Sequence, residues 1–511
     1  MQFFVEGKPS ARRRNETYPH ALLQHDTWDD YGYQTTFQLN LHLSRSHIIA
    51  VGEVKILQHG QKGGPTPMPS RPFKALPDDY CSVGATLQYY ERLLGHDWQL
   101  GVEILRGLRD VTGRSDIRAA FSEEKGWHSL LRTSGTLHAL QEAPKLQTEV
   151  VGPPLEATEL AFEFETSVGG APFRLALDFN EVEELPGRIN VLIGANGTGK
   201  TLLLAHLAAV AYEPRRPGGR LAPHAKGRFL GEQPPAFDTV LTVSYSAFDT
   251  FELPGKNLSE VERLQKYGQI LGFVYCGLRK RGPASDPHAG TQLKNFQEIA
   301  QDLETALTLI QDNQRGPVLQ MALAPLIDEP SFGRIDLNRA VQEGTGALKR
   351  LFAGASSGHK VVLNILVQLS ARLQRRSLVL IDEPECHLHP PLLAAFLRGL
   401  RILLKEYNSY SVIATHSPVV LQATPRRYVR VLRRRGNTTA VESPRIETFA
   451  EDLDIITGEV FNLDTRATDH HKVLDELVNS KQSLEQIEKL FGGRMSNAAR
   501  VYWLSREGRK D

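Results

Sequence analysis

Residues 194–201 constrain this chain more than any other segment. They read Gly-Ala-Asn-Gly-Thr-Gly-Lys-Thr and fit the pattern G-x-x-x-x-G-K-[ST]. The apolar run 189–193 predicts a short buried strand before the loop, and residues 201–211 predict a helix after it. Glycines let the backbone curl with its N–H groups pointing inward, and the helix N-terminus adds a positive dipole end. The segment therefore predicts a loop that binds phosphate groups.

The side chains at the end of this loop have defined tasks in the pattern. Lys200 reaches the outer phosphates, and the Thr201 hydroxyl ligates Mg²⁺. A chance match in a glycine-rich turn is the alternative, and the flanking strand and helix argue against it. The residues predicted to contact the nucleotide here are Gly194, Ala195, Asn196, Gly197, Thr198, Gly199, Lys200 and Thr201.

Length and composition limit the class of protein. The 511 residues are 41% hydrophobic and 23% charged, which predicts two or three globular domains. The net charge of +1 excludes a global field that would attract nucleic acid. The three cysteines, Cys81, Cys276 and Cys386, lack metal-ligand spacing. No apolar run approaches the ~20 residues of a membrane span, and no signal peptide is evident, so we expect a cytoplasmic protein without a membrane partner.

Patterning along the chain predicts three parts. Residues 1–150 form an α+β accessory unit, in which the alternating segments 31–43 and 46–57 predict a hairpin. Segments 87–108 and 116–131 of the same unit predict amphipathic helices.

An α/β nucleotide-binding domain is predicted over residues 155–445. The alternating segments 160–166 and 173–179 predict an antiparallel pair at its start. A mostly helical lobe over about 255–360 interrupts it. Residues 446–511 predict a helical C-terminal extension.

A second motif, at residues 377–385, reads Ser-Leu-Val-Leu-Ile-Asp-Glu-Pro-Glu. Its apolar run predicts a strand buried on both faces of a parallel sheet, and its acids follow at the strand end where such sheets bind ligands. Asp382 is predicted to hold Mg²⁺, and Glu383 to polarise the attacking water as general base. A solvated strand end is the alternative, and the position downstream of a phosphate loop argues against it.

Two shorter motifs complete the predicted site. Ser356, Ser357 and Gly358 precede a helix, where free N–H groups and a hydroxyl would bind an anion. A serine cap with an incidental glycine is the alternative. His416 follows the apolar segment 411–415 and is predicted to sense a γ-phosphate beside the acidic strand, although a lone histidine there is more often a structural hydrogen-bonding group.

In this order the four motifs resemble the head of an ABC-type ATPase. More narrowly, residues 382–390 and 414–418 are similar to motifs of the SMC/RecF/OLD-like branch of AAA-family ATPases. Many such proteins belong to bacterial anti-phage defence systems, including Septu-type systems with a separate HNH nuclease. The resemblance covers about 155–445 and implies an α/β P-loop ATPase head with a helical lobe.

The resemblance also implies a mechanism and partners. Two heads in a dimer, or a higher homo-oligomer, would sandwich ATP and Mg²⁺, with Ser356 and Gly358 acting in trans. Glu383 would then support hydrolysis only in the closed dimer. A separate effector such as an HNH-type nuclease is the implied partner.

Three departures from the family pattern stand out. His359 occupies the place of the expected glutamine after the signature. Residues 243–249 occupy the place of the Gln-loop and contain no glutamine. The helical interruption is too short for the coiled coil of SMC proteins, so a compact head is expected.

The C-terminal segment and the basic runs bear on effector chemistry and DNA binding. About 65 C-terminal residues are too few for the Toprim nuclease domain of OLD proteins, so we expect no intrinsic nuclease. The D-loop-like His387 and His389 indicate a dimer interface rather than a metal site. Double-stranded DNA could bind basic runs, or these could be solvated surface. The basic runs are 12–14, 279–281 and 426–435, and the C-terminal acids expected on a solvated face are Glu447, Glu451, Asp452 and Asp454.

The sequence therefore predicts a Mg²⁺-dependent ATPase that acts as an ATP-gated dimeric switch. It would sense nucleic acid or a phage product and control a partner effector. A RecF-like DNA repair or recombination ATPase is the first alternative. The energy subunit of a transporter is the second.

Overall fold

The N-terminal unit of the computed structural model is a sheet packed against helices. Its five main strands are mostly antiparallel, and the predicted hairpin is confirmed by the pairing of 36–42 with 48–58. The helix expected over 87–108 is two helices, because Asp97 is extended and its side chain accepts a hydrogen bond from the Leu100 N–H. The elements are β1 (Phe3–Val5), β2 (His20–His25), β3 (Tyr33–Gln34), β4 (Thr36–His42), β5 (Ile48–Gln58), β6 (Gly64–Pro65), β7 (Tyr80–Gly84), α1 (Leu87–His96), α2 (Trp98–Gly107), α3 (Ser115–Phe121), α4 (Trp127–Leu130) and α5 (Ser134–Leu146).

The following segment carries four strands of an eight-stranded sheet. The predicted pair at its start is confirmed as antiparallel, although it forms a separate three-stranded sheet with a later strand. The elements are β8 (Ala161–Thr166), β9 (Phe173–Asp178), β10 (Ile189–Gly194), α6 (Lys200–Tyr212), β11 (Arg228–Leu230), β12 (Val240–Ser244), β13 (Gln269–Ile270), β14 (Phe273–Gly277), β15 (Arg279–Arg281) and β16 (Thr291–Leu293).

Helices come next, and then the last strands of the same sheet. The chain ends in short helices, as expected, with a small core of Val478, Ile487 and Trp503. The elements are α7 (Phe296–Asp312), α8 (Gly316–Ile327), α9 (Pro330–Gly333), α10 (Leu337–Glu343), α11 (Thr345–Gly354), α12 (Ser357–Arg372), β17 (Leu378–Asp382), α13 (Pro390–Glu406), β18 (Tyr410–Thr415), α14 (Pro418–Gln422), β19 (Val429–Arg435), β20 (Thr438–Glu442), α15 (Leu453–Phe461), α16 (Asp469–Asn479), α17 (Leu484–Leu490) and α18 (Asn497–Glu507).

The structure describes most of the chain. The described residues are 1–6, 17–147, 160–182, 185–213, 226–231, 234–246, 253, 264, 269–282, 291–461, 469–480 and 482–507.

The eight-stranded sheet positions the phosphate loop. Its order is β13-β14-β12-β17-β18-β10-β19-β20, with six parallel strands in the middle and an antiparallel strand at each edge. Neighbouring residues of β10 point to opposite faces, so Val191 and Ile193 join the core on one side and Leu192 the core on the other. Since parallel strands run the same way, β17, β18 and β10 end at one edge.

Part of the segment predicted as a helical lobe, from about residue 255, is a strand. Residues 254–263 and 265–268 lie outside the described residues, and α7 begins at Phe296. The segment Phe273–Gly277 is instead a strand of the main sheet, paired in parallel with β12. A buried apolar run of five residues has no periodicity that separates strand from helix, which is why the prediction failed there.

The N-terminal unit contacts the C-terminal end of α6 through buried ion pairs. Arg132 donates to Asp30 (3.0 Å) and to Glu213 (2.8 Å), which directly follows α6. Lys55 also binds Asp30, at 2.7 Å, and both side chains are fully buried. A second contact joins His138 to Asp238 at 3.0 Å. Two positively charged side chains, Lys55 and Arg132, therefore pair with the buried Asp30 carboxylate. A buried charge needs such partners because it has lost its hydration.

We expect Arg132→Ala to lower the apparent free energy of unfolding by about 3 kcal/mol, because Glu213 and Asp30 each lose a buried cationic partner. Arg114→Ala is the matched control, since Arg114 pairs with Asp116 on the exposed surface and should cost less than about 1 kcal/mol. Urea unfolding followed by circular dichroism measures both. An equal loss of unfolding free energy in the two variants would show that the buried contacts of Arg132 do not stabilise the junction between the N-terminal unit and α6.

Candidate functional site

The phosphate loop has the backbone that its sequence predicts. β10 leads into it and α6 begins at Lys200, so the helix N-terminus faces the loop. Gly199 has φ +90°, and a Cβ there would lie 2.7 Å from the Val168 side chain. Gly199 therefore needs to be glycine for both conformation and space. Residues 195–197 are exposed, which leaves their backbone open to a ligand.

Lys200 lies in the middle of the site. Its Nζ donates to the Gly194 carbonyl (3.1 Å) and the Ala195 carbonyl (3.4 Å), and lies 2.7 Å from His416 Nε2. Burial lowers the pKa of Lys200, while the nearby carboxylates of Glu383 and Asp382 oppose that shift. The ammonium is thus held, largely desolvated, at the place where the loop would present phosphate oxygens.

Thr201 and Asp382 are brought together from different ends of the domain. The Thr201 hydroxyl donates to Asp382 Oδ2 at 2.9 Å. Asp382 ends β17, and β18 separates that strand from β10. A hydroxyl beside a carboxylate is a hard oxygen pair that suits Mg²⁺, which is usually bound by one or two such groups together with substrate phosphates.

Glu383 and His416 meet at the ends of adjacent strands. His416 Nε2 lies 3.1 Å from Glu383 Oε1, and the Glu383 N–H donates to the Ala414 carbonyl. The contact with His416 is the largest cause that lowers the pKa of Glu383, and Cys386 and Lys200 lower it further, so the carboxylate is ionised at neutral pH. Glu383 also has φ +46°, a left-handed conformation that is costly for a residue with a side chain.

His416 cannot satisfy both neighbours with one nitrogen. Nε2 must carry a lone pair to accept from the Lys200 ammonium, and a proton to donate to Glu383. The 2.7 Å contact with Lys200 is the shorter, so we assign the lone pair to it. Any ligand that draws Lys200 away therefore releases His416 towards Glu383.

Glu385 is a site residue that the sequence analysis left without a role. Its Oε1 accepts from the Thr415 hydroxyl (2.7 Å) and from the His416 N–H (2.5 Å). Glu385 thereby fixes the backbone that presents His416. Its position as the second glutamate of the Asp-Glu-Pro-Glu run was the sequence signal that could have indicated this role.

The signature residues lie at the start of α12. Ser356 caps this helix and accepts from the His359 N–H, while its hydroxyl lies 3.0 Å from His359 Nδ1. A Cβ on Gly358 would lie 2.6 Å from the His387 carbonyl oxygen, so only glycine lets these segments meet. Ser356 and Ser357 are exposed.

The five residues Lys200, Thr201, Asp382, Glu383 and His416 thus form one connected group, while Ser356, Ser357 and Gly358 contact other residues. Within the part of the chain that the structure describes, no hydrogen bond joins the two groups. Ser356 and Ser357 are thus open to solvent and apart from the phosphate loop of their own chain.

His387 and His389 have contacts within the chain. His387 Nε2 lies 3.2 Å from the Tyr245 carbonyl, and His389 caps α13 through Leu392. Tyr245 also accepts a hydrogen bond from Asn364 of α12 through its hydroxyl, at 2.8 Å. Tyr245 lies in the predicted Gln-loop segment, of which residues 247–249 are outside the described residues. A hydrogen-bonded link between β12 and α12 therefore exists there without glutamine.

Several arginines of the densest basic run, 426–435, pair with an acid or with backbone carbonyls of the same chain. Arg427 pairs with Asp178 (2.7 Å), and Arg430 and Arg434 donate to backbone carbonyls. Such contacts favour the solvated-surface interpretation over a free DNA-binding face. Lys280, in the smaller run 279–281, pairs with Glu298, and residues 12–14 lie outside the described ranges.

The C-terminal acids are placed near the start of α15. Glu447 accepts from the backbone N–H groups of Arg426, Thr448 and Phe449, and these bonds hold its pKa below the usual value although burial opposes them. Over the described ranges, no group of three His, Cys, Asp or Glu side chains is arranged to hold a metal ion. The Glu447 side chain thus stabilises the local backbone by accepting its N–H groups.

Comparison with known proteins identifies part of this architecture. Residues 302–422 match the family described as "AAA domain, putative AbiEii toxin, Type IV TA system". The match spans the signature, the acidic strand and His416, and it excludes the phosphate loop. The chain is also 28% identical over 510 residues to Protein ea59 of Escherichia phage lambda, covering 94% of this chain and 93% of that protein.

Solved structures give weaker likenesses. One is the ADP conformation of MJ1267, an ATP-binding cassette of an ABC transporter, at 14% identity over 52% of this chain and 85% of that one, with a TM-score of 0.27. Another is the SMC head domain from Thermotoga maritima, at 11% identity over 56% and 99%, with a TM-score of 0.23. No helix in the described ranges is both long and apolar enough to cross a membrane.

The family match, the P-loop and the α/β sheet agree. Together they support an AAA-like nucleotide-binding fold built on the eight-stranded α/β sheet.

Proposed function

We propose that this protein is a Mg²⁺-dependent ATP hydrolase that is active as a head-to-head dimer. The observation that carries the proposal is the connected group of Lys200, Thr201, Asp382, Glu383 and His416. It combines a cation for phosphate oxygens, an oxygen pair for a metal ion and an ionised base. These are the parts that phosphoryl transfer to water requires.

Each residue has a distinct task in the proposal. Lys200 leaves His416 and binds the outer phosphates of ATP. Thr201 and Asp382 would hold Mg²⁺, and the ion would supply positive charge to the phosphate oxygens. Glu383 accepts the proton of the attacking water.

His416 is released when Lys200 turns to the nucleotide. Its ring then donates to Glu383 or to a γ-phosphate oxygen, so ATP binding sets the hydrogen bonding of the base. Glu385 supports this step because it holds the His416 backbone. The site is thus sensitive to whether a third phosphate is present.

The signature of a second head completes the site. Ser356 is exposed at the N-terminus of α12, and Gly358 packs tightly in the first turn of that helix. Among the described residues, neither of them hydrogen-bonds to the phosphate loop of its own head. In a two-fold symmetric dimer each head would receive the signature of the other. ATP therefore joins the two heads, and hydrolysis separates them.

This ATP-dependent assembly serves as a switch in the proposal. Its trigger is nucleic acid or a phage product, and its output is control of a separate effector such as a nuclease in anti-phage defence. Support comes from the family resemblance and from the phage-encoded relative that matches 94% of the chain. The N-terminal unit, which contacts the end of α6, is our candidate for coupling trigger to nucleotide site.

Mixing two inactive variants tests the shared site. We expect Glu383→Gln, which keeps the nucleotide-binding residues, and Ser356→Ala each to lose nearly all ATP turnover alone. Random pairing makes half of the dimers mixed, and each mixed dimer holds one intact composite site, so about a quarter of wild-type turnover should return. A steady-state phosphate-release assay measures this. If mixing restores nothing while both variants still dimerise, the signature does not act in trans.

A further inference from the structure

A chain of hydrogen bonds runs from a buried acid to the signature serine. Glu329 accepts from the Ser331 N–H (2.8 Å), the Phe332 N–H (3.3 Å) and the Ser331 hydroxyl. Burial opposes ionisation of Glu329, but these hydrogen bonds outweigh it and hold its pKa below the usual value. Glu329 is therefore a carboxylate that only accepts, and the single hydroxyl proton of Ser331 is committed to it.

The next bond sets the histidine tautomer. His359 Nε2 lies 2.7 Å from the Ser331 oxygen, which has given its proton to Glu329 and so accepts here. Nε2 consequently carries the proton. Burial lowers the pKa of His359, and His389 adds to this while Glu329 opposes it, so the ring is neutral at neutral pH. A neutral ring has one N–H, which leaves Nδ1 as an acceptor.

The last bond decides where the signature proton points. Ser356 Oγ lies 3.0 Å from His359 Nδ1, and an accepting Nδ1 requires the Ser356 hydroxyl to donate inward. Phosphate oxygens are acceptors, so they need a donated proton from the serine. One lone pair of Ser356 accepts from the His359 backbone N–H, so with neutral His359 the exposed side of Ser356 offers only the other lone pair, which repels phosphate.

We propose that His359 is a positioning residue that withholds the Ser356 proton until His359 itself takes up a proton. A protonated ring donates from both nitrogens, so Nδ1–H donates to Ser356 and the serine proton turns outward to the γ-phosphate held by the second head. The inference rests on the proposed dimeric ATPase. Formation of the ATP-bound dimer is thereby coupled to uptake of one proton at each His359.

The groups around His359 fit this role. Glu329 lies behind Ser331 and stabilises a positive ring, whereas His389, at the cap of α13, opposes it. The Phe332 ring packs at 4.4 Å and excludes water from one side. His387 approaches the signature through its backbone carbonyl at Gly358. The phosphate dianion of the incoming nucleotide supplies the charge that favours protonation.

The sign of the pH dependence follows from linkage. The closed dimer binds more protons than the free heads, so the association constant falls as pH rises. The window lies between the lowered pKa of His359 in the free head and its raised pKa beside phosphate. Within it, each His359 contributes up to about tenfold per pH unit, and a symmetric dimer up to about 100-fold.

The test compares the Glu383→Gln protein with the double variant Glu383→Gln/His359→Gln. Sedimentation velocity with MgATP measures the ATP-dependent association of each protein from pH 6 to 9. Glu383→Gln slows hydrolysis in both proteins, and the titration of ATP itself affects both equally. We expect association of the Glu383→Gln protein to weaken steeply as pH rises and association of the double variant to depend little on pH. Calorimetric titration in two buffers of different ionisation enthalpy counts the protons directly.

Each outcome decides a different question. Equal pH dependence with and without His359 overturns the proton uptake and leaves the dimeric ATPase intact. Absence of ATP-dependent association in either protein at every pH overturns the dimeric ATPase, and the inference with it.

Ser331→Ala is a second variant that keeps the histidine. It removes the acceptor for Nε2–H, so a neutral ring can carry its proton on Nδ1 and release Ser356 without proton uptake. We expect association to persist at high pH in this variant. Unchanged pH dependence in folded Ser331→Ala protein would contradict the assigned hydrogen-bond chain.

Discussion

Glu383→Gln should lower kcat for ATP hydrolysis by about 10²–10⁴-fold, the usual contribution of a positioned general base. Glutamine keeps the size and backbone of Glu383, including the N–H that donates to the Ala414 carbonyl. Its amide cannot take the proton of water at neutral pH. ATP binding should survive, because Lys200, Thr201 and Asp382 are unchanged.

The assembly state provides an independent measurement for this variant. Since hydrolysis separates the heads in the proposed cycle, Glu383→Gln should accumulate an ATP-dependent dimer that wild type forms only transiently. Phosphate release and size-exclusion chromatography with MgATP measure the two effects. Glu343→Gln, on the exposed end of α10, is the matched control and should behave as wild type. Turnover above a tenth of wild type would show that another group is the base.

Lys200→Ala should weaken ATP binding on the order of 100-fold and remove turnover. The ammonium makes charge-assisted hydrogen bonds in the site, and losing such a bond to a phosphate costs about 1.5–3 kcal/mol. Folding should be preserved, because burial already disfavours this charge and its loss leaves His416 free to donate to Glu383. A fluorescent ATP analogue measures the affinity.

The control for Lys200→Ala is Lys405→Ala. Lys405 is exposed in the last turn of α13, so the same change there should leave nucleotide affinity and turnover at wild-type values. Equal affinity in the two variants would remove Lys200 from the phosphate site. Thermal melting of both proteins separates a loss of binding from a loss of folding.

Much of the fold was predictable because the signals are local. β10, β17 and the helix after the phosphate loop follow from apolar runs bounded by glycine or acidic residues. The hairpin of β4 and β5 follows from alternation along the strands. β14 was missed because five apolar residues look the same in a buried strand and a buried helix.

The candidate residues of the site could be named one by one from the sequence, but the contacts between them could not. Thr201 and Asp382 are 181 positions apart in the chain, and Lys200 and His416 are 216 apart. Their contacts exist because β18 lies between β17 and β10, and strand order is a property of the sheet. The shared Nε2 of His416 is equally invisible along the chain.

The sequence by itself thus determined which residues are candidates for phosphate, metal and proton chemistry, because those patterns are contiguous and constrained by backbone geometry. Only the tertiary structure decided what each group faces. It paired several arginines of the largely exposed basic run 426–435 with carbonyls and acids, and it placed Ser331 and Glu329 behind His359. Hydrogen bonds and charges act through space at about 3 Å, so packing, and not order along the chain, sets the proton positions on which the mechanism depends.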